Sequence, residues 1–184
     1  NIPLLGPEAA GISQPQGLST GLITQNAHPP YTHNHLSVRV NWLKDSPLRP
    51  SNIRAPGKIA NSFAVESFID ELAASAQRDP LAFRLEGLAD PRGRAVCEKV
   101  AELMHWQPRS SPVQSGNKGR GFSYVHYKFN ETYVAIGMEV EVDRRNGQVH
   151  VHRIVCAHDC GLIINPDATR QQVEGNILQT LSRT

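Results

Sequence analysis

The residues best suited to holding a ligand lie in the stretch 156–179, CAHDCGLIINPDATRQQVEGNILQ. Within it Gln172, Gly175, Asn176 and Gln179 recur at i, i+3, i+4 and i+7, which puts three carboxamides and a glycine on one helix face. Amides donate and accept hydrogen bonds together, and a glycine admits close approach, so this row suits a polar heterocycle with alternating donors and acceptors. A solvated helix face accounts for the same residues. A second candidate is the turn of Arg54, Ala55, Pro56 and Gly57. Small residues around one arginine leave backbone amides open to an anion or a metal-held oxygen, although an ordinary turn has the same composition. A third is the set His150, His152, Cys156, His158 and Cys160, all at even positions, which would share a face if one regular strand ran that far. Histidine and cysteine are zinc ligands, but same-face neighbours on a strand stand about 6–7 Å apart and converge poorly on one ion. His28, His33 and His35 have no ligand spacing and read as surface residues. Glu66, Asp70 and Glu71 read as the solvated side of a helix rather than as catalytic carboxylates.

The elements that position these residues are legible from punctuation and period. Asn165 is a good N-cap, Pro166 suits the first helical position and Asp167 complements the helix dipole, so a helix starts there. Its Val173, Ile177 and Leu181 form an apolar packing stripe apart from the amide row. Upstream, Val65, Phe68, Ile69, Leu72, Ala73 and Ala76 predict a helix over about 60–77. Asp79-Pro80 and Asp90-Pro91 each pair a cap with a first-turn proline and open helices at about 80–88 and 91–105, with Cys97 a small core residue of the second. Strands are expected at 121–128, 133–143 and 148–158, the last two joined at Asn146-Gly147. The alternation of Leu36, Val38 and Val40 predicts a further strand over 35–43. The expected fold class is α+β: a mostly antiparallel sheet with packed helices. Its organisation is one region over 1–184, with an irregular lead-in at 1–34, a strand, turn and helices at 35–106, a loop boundary at 107–119, and a hairpin sheet plus helix at 119–184.

Composition sets bounds. A net charge of +2 with no basic run gives no footprint for nucleic acid or an acidic membrane. Three cysteines make no disulfide framework and show no iron–sulfur spacing. The first residue is Asn1 and the last helix is still running at Thr184, so a piece of a longer protein is expected, with exposed apolar surface and a tendency to self-associate. The compartment is not legible from these residues.

Two segments taken together carry a resemblance. RAPGKIANSFAVESFIDELA with DPLAFRLEGL, then EVEVDRRNGQVHVHRIVCAHDCGLIINPDATRQQVEGNILQ, resemble the molybdopterin-binding subunit of the xanthine dehydrogenase/aldehyde oxidase family. The nearest flavour is that of isoquinoline 1-oxidoreductase beta subunits and nicotinate dehydrogenase large subunits. The resemblance implies a molybdenum–pterin cofactor, in the cytosine dinucleotide form, that hydroxylates an N-heteroaromatic compound or an aldehyde with oxygen from water. It implies an iron–sulfur electron-transfer partner and the remainder of the cofactor-binding subunit as further partners. Arg54 matches the family arginine beside the metal, and Ala55, Pro56 and Gly57 continue that loop. Pro56 stands where xanthine-oxidising relatives have an aromatic residue, which argues against a purine substrate. Gln172 matches the glutamine that contacts the pterin, with Gly175 and Asn176 on its face, while Asp159, Gly161, Asn165 and Pro166 match a structural turn. The family's catalytic glutamate lies beyond this stretch, so no catalytic residue is assigned, Glu174 is not promoted to that role, and the chain alone is expected to be inactive and not to retain the cofactor.

Overall fold

A computed structural model describes residues 6, 9–11, 24–41, 54–109, 116–128 and 130–184. Within them the order is α1 (Lys58–Ser75), α2 (Pro80–Gly87), α3 (Pro91–Leu103), β1 (Lys118–Tyr127), β2 (Thr132–Val142), β3 (Val149–Asp159) and α4 (Pro166–Leu181). This is the expected α+β arrangement, and the three strands form an antiparallel meander in the order β1-β2-β3.

The caps work as their residue types require. The Asp79 carboxylate accepts from the Ala82 amide at 2.8 Å, and Asp90 accepts from Arg92 and Gly93, each just before a proline. Asp90 also takes the Tyr133 hydroxyl at 2.9 Å, which ties the start of α3 to the sheet. Asn165 accepts from the Ala168 amide at 3.0 Å and starts α4. Between β2 and β3 the Asp143 carbonyl receives the Asn146 and Gly147 amides, with Gly147 at φ 76°. The connection is therefore wider than a two-residue Asn-Gly hairpin.

The helices α1 to α3 cover one face of the sheet. Register places Tyr133, Ala135 and Gly137 of β2 on that face, opposite His126, Tyr124 and Phe122 of β1. The core gathers Ile69, Leu81, Leu88, Val96, Cys97, Val100 and Met104 from the helices against Phe122, Tyr124, Tyr133 and Ala135. Gly137 is the closest approach: a Cβ there would overlap the Met104 sulfur and come within 2.9 Å of Val100 Cγ1. The other face presents Val134, Ile136 and Met138 towards α4.

Three expectations are corrected. Residues 35–41 form no strand, and 42–43 lie outside the described residues; Leu36, Val38 and Val40 alternate but pair with no strand among the described residues and stand exposed. Glu66 is not solvated but buried, held by Arg84. The α1 stripe is split, since Ile69 and Ala73 face the core while Phe68 and Leu72 are exposed. The lead-in at 1–34 is described in part, and Tyr31 from it enters the core.

Candidate functional site

The turn and the amide row are built by different elements on opposite faces of the sheet. The turn precedes α1, on the helix-covered face. Ala55 and Gly57 both take positive φ, 60° and 68°, which is strained for alanine and natural for glycine. A clamp from the lead-in offsets that strain: Asn26 donates its amide to the Pro56 carbonyl at 2.9 Å, and its own carbonyl accepts from the Asn61 side chain at 3.1 Å. A Cβ at Gly57 would lie 2.8 Å from the Gln25 carbonyl oxygen, so the glycine is required twice over. Arg54 is exposed at the head of this fixed turn.

Across the sheet, α4 stands over the apolar face and leaves an open cleft of about 580 Å³. From the sheet come Val134, Ile136, Met138, Cys156 and His158; from the helix come Gln172 and Asn176 together with Val173, Ile177 and Leu181. Gln172 and Asn176 of the amide row therefore border one cleft with the apolar stripe instead of facing away from it, because i, i+1, i+4 and i+5 span a single broad surface, while Gln179 does not line it. Asn176 Nδ2 donates to the Gln172 backbone carbonyl at 2.6 Å, which leaves the Gln172 carboxamide and the Asn176 carbonyl oxygen available. Gly175 does not border the cleft, and a Cβ there would meet open space. Opposite the amides, the His158 Nδ1 is buried without a partner among the described residues. Burial holds its pKa below the usual histidine value against the field of Asp159, so the ring is neutral near pH 7. Burial also pushes the Cys156 thiol up to about 11.

Below the cleft Asp159 forms a two-pronged ion pair with Arg92, at 2.8 and 2.6 Å, and accepts the Gly161 amide at 2.9 Å. The Arg92 guanidinium holds the Asp159 carboxyl down at about 2. This pair locks the turn that feeds α4, and Gly161 takes φ 78°.

The even-numbered His/Cys set does not share a face. A register shift between Glu139 and Val140 puts an extra residue into β3, since Glu139 pairs with Arg153 while Val140 pairs with Val151. His150 and His152 thus lie on the side of Glu141, and His152 Nε2 stands 2.8 Å from the Glu141 carboxylate. Cys156 and His158 face the cleft. No three His, Cys, Asp or Glu side chains gather to hold a metal ion among the described residues. Sequence periodicity missed the bulge because nothing in VHVHRIVCAHD marks it.

Comparison with known proteins bears on what such a cleft holds. The family described as molybdopterin cofactor-binding domain matches residues 104–183. The chain is 41% identical over 167 residues to one subunit of the nicotinate dehydrogenase of Pseudomonas putida, covering 84% of the chain and 14% of that protein. It is 37% identical over 131 residues to the isoquinoline 1-oxidoreductase beta chain of Brevundimonas diminuta, covering 71% of the chain and 16% of the relative. It is 28% identical over 157 residues to a membrane-bound aldehyde dehydrogenase [pyrroloquinoline-quinone] of Gluconacetobacter polyoxogenes, covering 77% and 20%. The chain thus spans no more than a fifth of the length of these relatives.

Proposed function

The chain belongs to the molybdopterin cofactor-binding domain family, and from that premise we propose that it is the cofactor-positioning segment of a molybdenum hydroxylase. The whole protein hydroxylates an N-heteroaromatic compound or an aldehyde with water as the oxygen source. The names of the three relatives, two on nitrogen heterocycles and one on aldehydes, support that substrate range. The third name gives a quinone cofactor, but its 28% identity weighs less than the matched domain. When bound, the molybdenum–pterin group, in its cytosine dinucleotide form, supplies the two-electron oxidation.

The observation that carries this reading is the placement of Gln172 and Asn176 opposite a neutral His158, unpartnered among the described residues, across a cleft of about 580 Å³. That volume suits a cofactor-sized heterocycle. A pterin edge offers alternating donors and acceptors, and the two carboxamides answer both. The imidazole Nδ1 supplies one more polar atom that is costly to leave buried and unpaired. Val134, Ile136 and Val173 line the cleft and would keep water from an aromatic ring held there. The turn of Arg54, Ala55, Pro56 and Gly57, held rigid by Asn26, lies on the opposite face of the sheet, so it would meet a part of the cofactor outside this cleft. Gly175 allows a neighbouring segment of the full protein to lie against α4. The relatives named as subunits support a multi-subunit enzyme, and an iron–sulfur subunit is the partner we assign for removing electrons.

Gln172→Ala and Asn176→Ala in the full-length protein should each lower pterin occupancy while leaving the secondary structure unchanged. Full pterin occupancy in the double variant would overturn the placement.

A further inference from the structure

On the helix-covered side of the sheet lies a second cavity, of about 770 Å³, bordered by Asn26, His28, Lys58, His126, Lys128 and Glu131. Of these residues the cofactor reading uses only Asn26, as the clamp on the neighbouring turn. Lys58, the first residue of α1, is only 7% exposed. Among the described residues it makes no ion pair: Glu66 is engaged by Arg84, and Glu131 by Lys128 at 4.0 Å. A buried cation without a counter-charge is costly, and burial pulls the Lys58 pKa down while the field of Glu66 opposes it. Beside it the His126 Nε2 is buried without a partner among the described residues, on a ring held flat against Tyr133 at 4.7 Å between centroids. The start of α1 has no side-chain cap and no acidic residue in its first turn, so the positive end of its dipole is uncompensated.

These features share one requirement. Lys58 and Lys128 bring two positive charges and Glu131 one negative, leaving the cavity one positive charge in excess. A donor on His126 Nε2 and a cation on Lys58 match the oxygens of a single negatively charged group. We propose that this cavity binds the oxyanion group, carboxylate or phosphate, of a small molecule, with Lys58 as its counter-charge and His126 as a hydrogen-bond donor. The site is distinct from the cleft under α4 and does not rest on the cofactor reading.

The test is calorimetric titration of the full-length protein at low ionic strength with inorganic phosphate and, separately, with acetate. Saturable one-to-one binding of phosphate alone identifies a phosphate group, of acetate alone a carboxylate, and of both a site general for oxyanions; each result supports the proposal. Lys58→Met should weaken that binding at least tenfold. Lys128→Met, an exposed position safe for folding, should weaken it severalfold and carries the test if the Lys58 variant does not fold. Lys118→Met removes the same charge at a distant exposed position and should leave binding unchanged. Absence of saturable binding for both anions, or equal weakening by the Lys118 and Lys128 variants, would overturn the site. Metal and pterin content of the same preparations reports separately on the cofactor reading.

Discussion

Glu66 and Arg84, 18 residues apart, form a buried ion pair at 3.0 Å that joins three elements. Arg84 of α2 is fully buried and also reaches Asp70 and the carbonyls of Pro80 and Glu66. The Glu66 carboxylate accepts from the Tyr31 hydroxyl at 2.7 Å and from the Tyr124 backbone amide of β1 at 2.8 Å. Each polar atom in the cluster has a use, which is what makes a buried pair tolerable.

Removing one partner of that pair leaves the other charge buried and alone. Glu66→Leu or Arg84→Met should destabilise the fold by about 3–5 kcal/mol, read from urea denaturation. The double variant should cost clearly less than the sum of the two. Additive losses would show that the two side chains act independently.

Gly137 sets the distance between α3 and the sheet. Gly137→Ala should cost about 1–3 kcal/mol through overlap with the Met104 sulfur and Val100. Adding Met104→Ala should recover part of that loss by opening room for the new methyl group. A neutral Gly137→Ala would mean that α3 moves away freely.

The Arg92–Asp159 pair predicts a specific acid response. Asp159 holds its proton at about 2 in the folded chain against an ordinary 3.8, so its contribution to stability is complete above about pH 4 and is lost as pH falls through 2. Unfolding midpoints measured between pH 5 and 2 should fall less steeply for Arg92→Met than for the parent. Parallel curves would contradict the assignment. Both side chains are about one-third exposed, so solvent screens the effect.

Apolar side chains on the surface predict association of the isolated chain. Phe63 is 76% and Leu162 87% exposed, and Ile164, Leu178, Ile59 and Phe68 are also largely in solvent. Light scattering should show mass rising with concentration, and a Phe63→Ser and Leu162→Ser double variant should suppress it. A monomer across a wide concentration range in the parent would contradict this.

What was legible in the sequence follows from how local each signal is. Asp79-Pro80, Asp90-Pro91 and Asn165-Pro166 are complete within a few residues, and each starts a helix where it should. The alternation in YVAIGMEVEV needed only the neighbouring strands to be right. The failures are long-range. Glu66 looks like a surface acid until Arg84 is brought to it, and that depends on how α1 and α2 pack. Leu36, Val38 and Val40 alternate like a strand but find no pairing partner among the described residues, and without a ladder the pattern decides nothing. The even spacing on β3 broke at a bulge, which turned His152 towards Glu141 and left Cys156 and His158 at the cleft. Of the candidate ligand residues, the choice of Gln172 and Asn176 over Gly175 and Gln179 came from the placement of α4, which no local period encodes.

A chain that positions a molybdenum–pterin group is tested most directly by metal and pterin content. The full-length protein would be purified with its partner subunits from a host that makes the cofactor. Near-stoichiometric molybdenum with an extractable pterin is the predicted result. Zinc in place of molybdenum, or neither metal with no pterin, would contradict it.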